Sequence, residues 1–351
     1  MKRIKLGNKE VYNFATPYII AEIGANHNGD MDLAKEMILS AKKAGADCVK
    51  FQSWTPTSIL SKEEYIKNQV YTDSKKKHFG SLQEMVQKYA LTDDQHRELK
   101  AFCDSNEIEF ASSPFSKKEA DLLNEIGVSF FKIASMDINY IDFIKHVASY
   151  QKPVILSTGM STIGEIEKAI NACYSVGNEQ VILLHCISIY PPEYKDIHLN
   201  NINTLQTVFD LPTGFSDHTI GTAIPLASVA FGSCLIEKHF TLDKDMPGWD
   251  HEISSNPEEL KVICSESKNI AEALGSRTRI VSEAEENKKD KFRRSLVIKN
   301  ELKKGHVLTV EDLTAKRPGT QIPPNEMDFV IGRTLNTDIE EDCLLKWENL
   351  I

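Results

Sequence analysis

The sequence predicts an α/β protein, a (β/α)8 barrel followed by a small, mostly β module. Two observations lead there. Eight short, continuous apolar runs recur along the chain, each ending in polar residues, and most are followed by a helix-like segment. Beyond residue 275 that alternation stops, and a polar stretch leads into short β-like runs separated by turn signals.

The first run is "YIIAEIGAN", beginning at Tyr18. Behind it, Leu33, Met37 and Ala41, with Ala34 and Ile38, mark one face of a helix at three- and four-residue spacing. "DCVKFQS", "IEFASSPF", "FFKIASMD", "PVILSTGM", "QVILLHCIS", "LPTGFSDH" and "SCLIEKHF" repeat the arrangement, and "STIGEIEKAINACYSVG" is one of the intervening helical patterns. A continuous apolar run suits a parallel strand covered on both faces. The main competitor, an open doubly wound sheet, concentrates useful side chains at a switch point. Here all eight runs end in them, as expected where the strand ends converge on one mouth.

The pattern breaks twice. Between Trp54 and Leu91, "TPTSILSKEEYIKNQVYTDSKKKHFGSLQEMVQKYA" is too long for a simple connection and reads as a partly helical excursion over the mouth. Its "SKKKHF" run reads as a solvated face. Later, "RIVSEAEENKKDKF" reads as a linker or extended helix. The expected division is a barrel over residues 1–280, a linker over 281–292 and a β module over 293–351.

Composition narrows the function. The 351 residues carry a formal net charge of -10, which repels nucleic acid and anionic membrane alike. No apolar run has membrane-spanning length, and the basic start "MKRIKLGNKE" lacks the apolar stretch of a secretory signal, so a cytoplasmic protein is expected. Seven cysteines without a CxxC pair read as reduced, mostly buried thiols.

The strand ends supply a ring of donors and charges: Glu22, Asn26, His27, Lys50, Gln52, Ser112, Ser113, Lys132, Ser135, Asp137, Ser157, Thr158, Ser188, Tyr190, Ser216, Asp217, His218, Glu237 and His239. Lys50 and Lys132 lie inside apolar runs, where an unpaired ammonium is costly, so each should meet a carboxylate or a bound phosphate. A structural ion pair is the plain alternative for either. Two lysines beside several hydroxyls favour an anion site. His218 and His239, on the last two strands, would be neighbours whose neutral imidazoles suit a divalent transition metal, although single histidines are more often surface or core residues. His251 is a weaker ligand candidate. "STGM" lacks the GxSxG pattern of a serine hydrolase.

In order, "AEIGANHNG", "KFQ", "SSPF", "FKIAS", "STGM", "LLHCISIYP", "GFSDHT", "IEKHFTLDKDMPGWDH" and the late "KRPG" closely resemble the sialic acid synthase family, over nearly the whole chain. The resemblance includes the C-terminal antifreeze-like, or SAF, module. It implies condensation of phosphoenolpyruvate with an open-chain sugar of the N-acetylmannosamine type, giving phosphate and a nine-carbon 2-keto-3-deoxy acid.

By that resemblance, His218 and His239 hold a divalent metal, manganese first, with magnesium or cobalt as alternatives. Glu22 is an acid/base group. Lys50, Ser113, Lys132, Ser135, Ser188 and Ser216 fall where the family binds phosphoenolpyruvate. Gln52, Phe115, Asp137, Tyr190 and Asp250 fall where it contacts the sugar. Arg317, in "AKRPGTQIPP", is expected to reach the sugar in the partner's barrel of a domain-swapped homodimer.

Ser113, Ser188 and Asp137 depart from the bacterial sialic acid synthase pattern, where threonine, asparagine and glutamate occur. These departures bear on the sugar. The motifs rank N-acetylmannosamine first and the 2,4-diacetamido-2,4,6-trideoxyhexose of legionaminic acid synthases second. A carbohydrate- or ice-binding protein on an inactive barrel is the alternative of a different class, and the intact set Glu22, Lys50, Lys132, His218 and His239 argues against it. A synthase for a phosphorylated sugar would want a second basic site, which the sequence does not reveal.

Overall fold

In a computed structural model, residues 2–70, 80–276 and 278–351 are described. The "SKKKHF" run lies outside the described residues. The chain forms two compact units, Met1–Gly275 and Ser276–Ile351.

The first unit opens with an antiparallel hairpin, β1 (Ile4–Leu6) and β2 (Lys9–Val11), turning at Gly7. Eight parallel strands follow: β3 (Tyr18–Gly24), β4 (Cys48–Ser53), β5 (Glu109–Pro114), β6 (Phe131–Ile133), β7 (Val154–Ser157), β8 (Val181–Cys186), β9 (Thr213–Asp217) and β10 (Leu235–His239). All eight coincide with the apolar runs of the sequence. Neighbours in sequence pair in parallel from β3 to β5 and from β6 to β10, and β10 pairs back onto β3. β5 and β6 pack side by side and complete the ring.

Strand alternation divides this unit into two cores. Ile19, Ala21, Ile23, Val49 and Phe51 face outward and pack on the helices. Tyr18, Ile20, Cys48, Ile155, Ile182 and Leu235 face inward and meet Ile4, Leu6 and Val11 of the hairpin, which fills the lower end. Each such buried aliphatic side chain stabilises the fold by roughly 1.5–3 kcal/mol. The inner face changes character at the upper end, where Ile20 is followed two residues on by Glu22, Cys48 by Lys50, Phe130 by Lys132 and Leu235 by Glu237.

The first barrel helix, Met31–Ala44, shows how the outer layer is specified. Asp30 caps it by accepting from the amides of Asp32 and Leu33, and Gly45 ends it at φ 100°. Ala34, Met37, Ile38, Ala41 and Ala44 are buried against the sheet, whereas Leu33 is only partly covered. In the excursion, short helices span Pro56–Ile59, Lys62–Lys67 and Leu82–Tyr89. Leu82, Met85, Val86 and Tyr89 pack on Trp54 and Phe115, which anchors this segment at the barrel mouth.

The second unit contains β11 (Ser295–Ile298) paired antiparallel with β12 (Leu313–Lys316), around a core of Leu296, Ile298, Leu308, Leu313, Ile322 and Val330. The segment expected as a linker forms two one-turn helices, Glu283–Glu286 and Lys289–Phe292, that belong to this unit. They are held there by the Gly319 amide donating to the Asp290 carbonyl at 2.7 Å.

Candidate active site

Inner-face residues at the upper ends of the strands surround one cavity of about 560 Å³. Its floor is a four-charge cluster. Glu237 accepts from Lys132 Nζ at 3.1 Å and from Ser216 Oγ at 3.1 Å through Oε1, while its Oε2 lies 3.8 Å from Lys50 Nζ. Lys50 is also paired with Glu22 and donates to Ser113 Oγ at 3.0 Å. Gln52 Nε2 donates to Glu22 Oε1 at 2.9 Å. All four charged groups are at least 95% buried, so their pairing is what makes the ionised forms tolerable.

The two carboxylates are pushed apart in acidity. Burial raises Glu22 to about 7 against the pull of Lys50, with Glu237 adding to the rise. Burial also works upward on Glu237, but Lys132 and Lys50 together hold it below its ordinary value. Glu237 is therefore the standing counter-ion, and Glu22 is the group able to exchange a proton near neutrality.

Hydroxyls line the wall above the lysines. Ser135 Oγ accepts from the Gly159 amide at 3.1 Å. A side-chain carbon at Gly159 would come within 2.3 Å of Ser188 Oγ and 2.8 Å of Ser135 Oγ, so glycine there leaves space for both hydroxyls to share one edge of the cavity. Two ammonium groups and the hydroxyls of Ser113, Ser135, Ser188 and Ser216 thus line one cavity, donors of the kind that bind anions.

Two imidazoles stand above this floor, with ring centroids 5.5 Å apart. His218 Nδ1 lies 2.7 Å from the Ile187 carbonyl, so Nδ1 carries a proton; burial works against a charge on this ring, but the hydrogen-bonded Cys186 side chain and the Ile187 carbonyl raise its pKa above the ordinary value. The Tyr190 ring lies 4.0 Å from the His218 ring. Burial, reinforced by His218 and Lys50, holds His239 well below its ordinary value, so this imidazole is neutral. Its Nδ1 is buried without a hydrogen bond, 3.6 Å from Asp250 Oδ2. The unused buried Nδ1 of a neutral imidazole, beside a second ring whose own Nδ1 is turned to a carbonyl, fits a two-nitrogen ligand set for a divalent metal. Among the described residues, no group of three or more His, Cys, Asp or Glu is arranged as a metal cluster.

The NeuB family profile matches residues 37–279, and the SAF domain profile matches residues 293–351. The chain belongs to the NeuB family. Among relatives of this NeuB chain, the N,N'-diacetyllegionaminic acid synthase of Campylobacter jejuni is 40% identical over 93% of this chain and 98% of its own length. The N-acetylneuraminate-9-phosphate synthase of Homo sapiens is 33% identical over 93% of this chain and 90% of its own. Among solved structures, the N-acetylneuraminic acid (sialic acid) synthetase of Leptospira borgpetersenii, crystallised with citrate, superposes with a TM-score of 0.74 at 33% identity, covering 82% of this chain and 95% of that one. This NeuB chain is an enzyme of the sialic acid synthase family.

The cavity of the NeuB chain collects Glu22, Lys50, Gln52, Ser113, Phe115, Lys132, Ser135, Ser188, Tyr190, Ser216, His218, His239 and Asp250. Two expected residues are not brought in. Asp137 does not line the cavity. Its Oδ2 is enclosed without a hydrogen bond, and burial lifts its carboxyl to about 6. Arg317 lies in the second unit, exposed, with its guanidinium 5.1 Å from the Phe292 ring centroid.

Several strand-end residues also turn away from the mouth. Ser112 bonds Ser53 Oγ, Asn26 donates to the Phe240 carbonyl, and Asp217 pairs with Lys238. His251 bonds Thr241 Oγ1 at 2.6 Å and is not a cavity residue. The sequence reading placed Glu237 among the strand ends without a role. Its position two residues before His239, on the same inner face, was the available signal. Cys186 and Trp249 also line the cavity and were not anticipated there.

Proposed function

We propose that this NeuB enzyme condenses phosphoenolpyruvate with the open-chain form of an N-acylated hexosamine, giving a nine-carbon 2-keto-3-deoxy acid and inorganic phosphate. The observation that carries this reading is the buried Lys50–Glu22–Glu237–Lys132 cluster beneath the His218 and His239 imidazoles. It sets two buried ammonium groups and a pair of imidazoles around one cavity, which supports an anion site next to a metal site.

Lys50 and Lys132, with Ser113, Ser135, Ser188 and Ser216, hold the phosphate and carboxylate of phosphoenolpyruvate. His218 and His239 hold the divalent metal, manganese first, which when bound supplies Lewis-acid polarisation of the sugar carbonyl. C3 of the enol then attacks C1 of the sugar, forming the carbon–carbon bond while Glu22 gives its proton to the carbonyl oxygen. The resulting Glu22 carboxylate takes a proton from the water that adds at C2. The C2–O bond to phosphate breaks, phosphate leaves with the electron pair and takes up the proton of the new C2 hydroxyl, and C2 becomes a ketone.

The order of the two sugars is reversed relative to the motif reading. The 2,4-diacetamido-2,4,6-trideoxyhexose is placed first, supported by the 40% identical legionaminic acid synthase. The apolar part of the cavity lining, Ile59, Phe115, Met136, Met160 and Trp249, suits acetamido methyls and a 6-deoxy carbon. A 6-phosphorylated sugar fits less well, because the ammonium groups among the described lining residues are Lys50 and Lys132, both assigned to phosphoenolpyruvate, which leaves no second basic group among them for another phosphate. Arg317 acts in the partner's barrel of a domain-swapped dimer, a reading supported by the SAF match over its module.

The test is incubation of purified enzyme with Mn²⁺, phosphoenolpyruvate and either N-acetylmannosamine or the diacetamido-trideoxyhexose, with products identified by mass. A nine-carbon keto acid formed faster from the diacetamido sugar supports the reading. A preference for N-acetylmannosamine restores the other order, and no acid from either sugar contradicts the assignment.

A further inference from the structure

The two imidazoles are joined from behind by charges that the reaction does not touch. Asp217 and Lys238 are register partners on β9 and β10, with side chains on the outer face and only 0% and 1% exposed. Lys238 Nζ donates to Asp217 Oδ2 at 2.7 Å and also to the Thr219 carbonyl. Asp217 closes a turn on itself, with Oδ1 accepting from the Thr219 amide at 3.0 Å and Oδ2 from Thr219 Oγ1 at 3.0 Å.

His218 is the residue enclosed by that turn, and His239 is the residue after Lys238. A single ammonium therefore ties the turn carrying one imidazole to the strand carrying the other. On the inner face the same two strands are tied once more, by Ser216 to Glu237.

A buried ion pair is an expensive way to hold two strands together, since its desolvation cost rivals its attraction and apolar packing of the same volume does as well. Simple strand cohesion does not account for it. What it does that apolar packing cannot is fix direction, because every oxygen of the carboxylate and two contacts of the ammonium are committed to one backbone conformation at Asp217–Thr219.

We propose that the Asp217–Lys238 pair is a positioning device that holds His218 and His239 in the separation and orientation required for metal binding. This rests on the reading of the two imidazoles as metal ligands. Asp217, Lys238 and Thr219 do not line the cavity. They act through the backbone of their neighbours, as outer partners of ligating side chains do.

The experiment uses the full-length protein and Mn²⁺ binding followed by electron paramagnetic resonance. The Asp217→Asn/Lys238→Met double variant removes both charges, so no unpaired ion is left in the fold. It should keep the wild-type melting temperature yet bind Mn²⁺ about tenfold to a hundredfold more weakly. Thr219→Val, which removes one hydrogen bond to Asp217, should weaken binding in the same direction and covers the case in which the double variant does not fold. A folded double variant, or Thr219→Val when it alone folds, with wild-type Mn²⁺ affinity would overturn the proposal.

His218→Ala separates this outcome from failure of the metal reading. If His218→Ala binds Mn²⁺ as wild type does, the ligand assignment is wrong. The positioning claim is then decided by imidazole ¹⁵N spectra of metal-free protein. Wild type should show His218 protonated at Nδ1, and the variants should show mixed tautomers. Variants with wild-type spectra would overturn the claim on their own.

Discussion

His239 and Glu22 are register partners across the ladder that joins the last barrel strand to the first. Closure of the barrel thus sets the carboxyl proposed as acid/base beside the imidazole proposed as a metal ligand, although the two are far apart in the chain. In the proposed reaction this pairing would bring proton transfer and carbonyl activation to one place. Glu22→Gln keeps the hydrogen-bonding shape and removes the transferable proton. It should lower kcat by about a hundredfold or more while leaving phosphoenolpyruvate affinity within a few fold. Steady-state kinetics with a separate binding titration checks this, and an unaltered kcat excludes Glu22 as the proton carrier.

Glu237 bridges both lysines of the floor. Replacing Lys132 with Met leaves its carboxylate short of a partner in a buried site and should cost about 3–5 kcal/mol of stability. Urea unfolding measures this loss. A Lys132→Met protein as stable as wild type would mean that water or a shifted side chain satisfies Glu237.

Gly159 has an ordinary backbone conformation, so its constraint is space. In Gly159→Ala the new methyl displaces Ser188 or Ser135 from the cavity edge. The KM for phosphoenolpyruvate should rise on the order of tenfold or more, with a smaller effect on the sugar KM. Equal changes in both constants would remove these hydroxyls from the phosphoenolpyruvate side.

Asp137 offers a pH signature away from the imidazoles. Burial raises its carboxyl from 3.8 to about 6, with Lys132 opposing and Glu119 adding to the rise. Between those values the folded protein keeps a proton that the unfolded chain has released. Stability from this group is therefore fully present below pH 3.8 and is lost as pH rises through about 6. The stability difference between wild type and Asp137→Asn should fall across that window, by roughly 3 kcal/mol at most, and level off above it. Denaturation curves at several pH values give the difference directly, and a flat profile contradicts the buried, protonated state.

Arg317 is tested by complementation. Differently tagged Arg317→Ala and His239→Ala chains, co-expressed and purified as a mixed dimer, should recover about half of wild-type activity if the arginine serves the partner's barrel, since one site then carries both lesions and the other neither. Absence of rescue places Arg317 in its own barrel or outside the site.

The barrel strands were legible because a strand buried on both faces is a continuous apolar run, and each run here stops where the inner face turns polar. The N-terminal hairpin was not recognised. Its strands are three residues each, and Ile4, Leu6 and Val11 are few enough to pass for a basic start. The site was legible as far as residue types at strand ends allow. What those ends do not reveal is which side chains point inward. Ser112 and Asp217 follow the outward face of their strands, while Ser113 and Ser216 beside them point in. Glu237 was visible by the same two-residue rule applied backward from His239. Asp137 follows a strand of only three residues, and the 3-10 turn Ser135–Asp137 directs it away from the cavity in a way no spacing argument shows.

Phosphoenolpyruvate carrying ¹⁸O in its bridging position, turned over with the sugar and Mn²⁺, brings the carbon–carbon bond and the cleaved bond into one mass spectrum. Attack of water at C2 sends the label out with phosphate, so the expected result is an unlabelled nine-carbon keto acid and singly labelled inorganic phosphate. A keto acid that retains the label, or labelled phosphate with no nine-carbon acid, would contradict the reaction assigned to the Glu22, Lys50, Lys132 and Glu237 cluster.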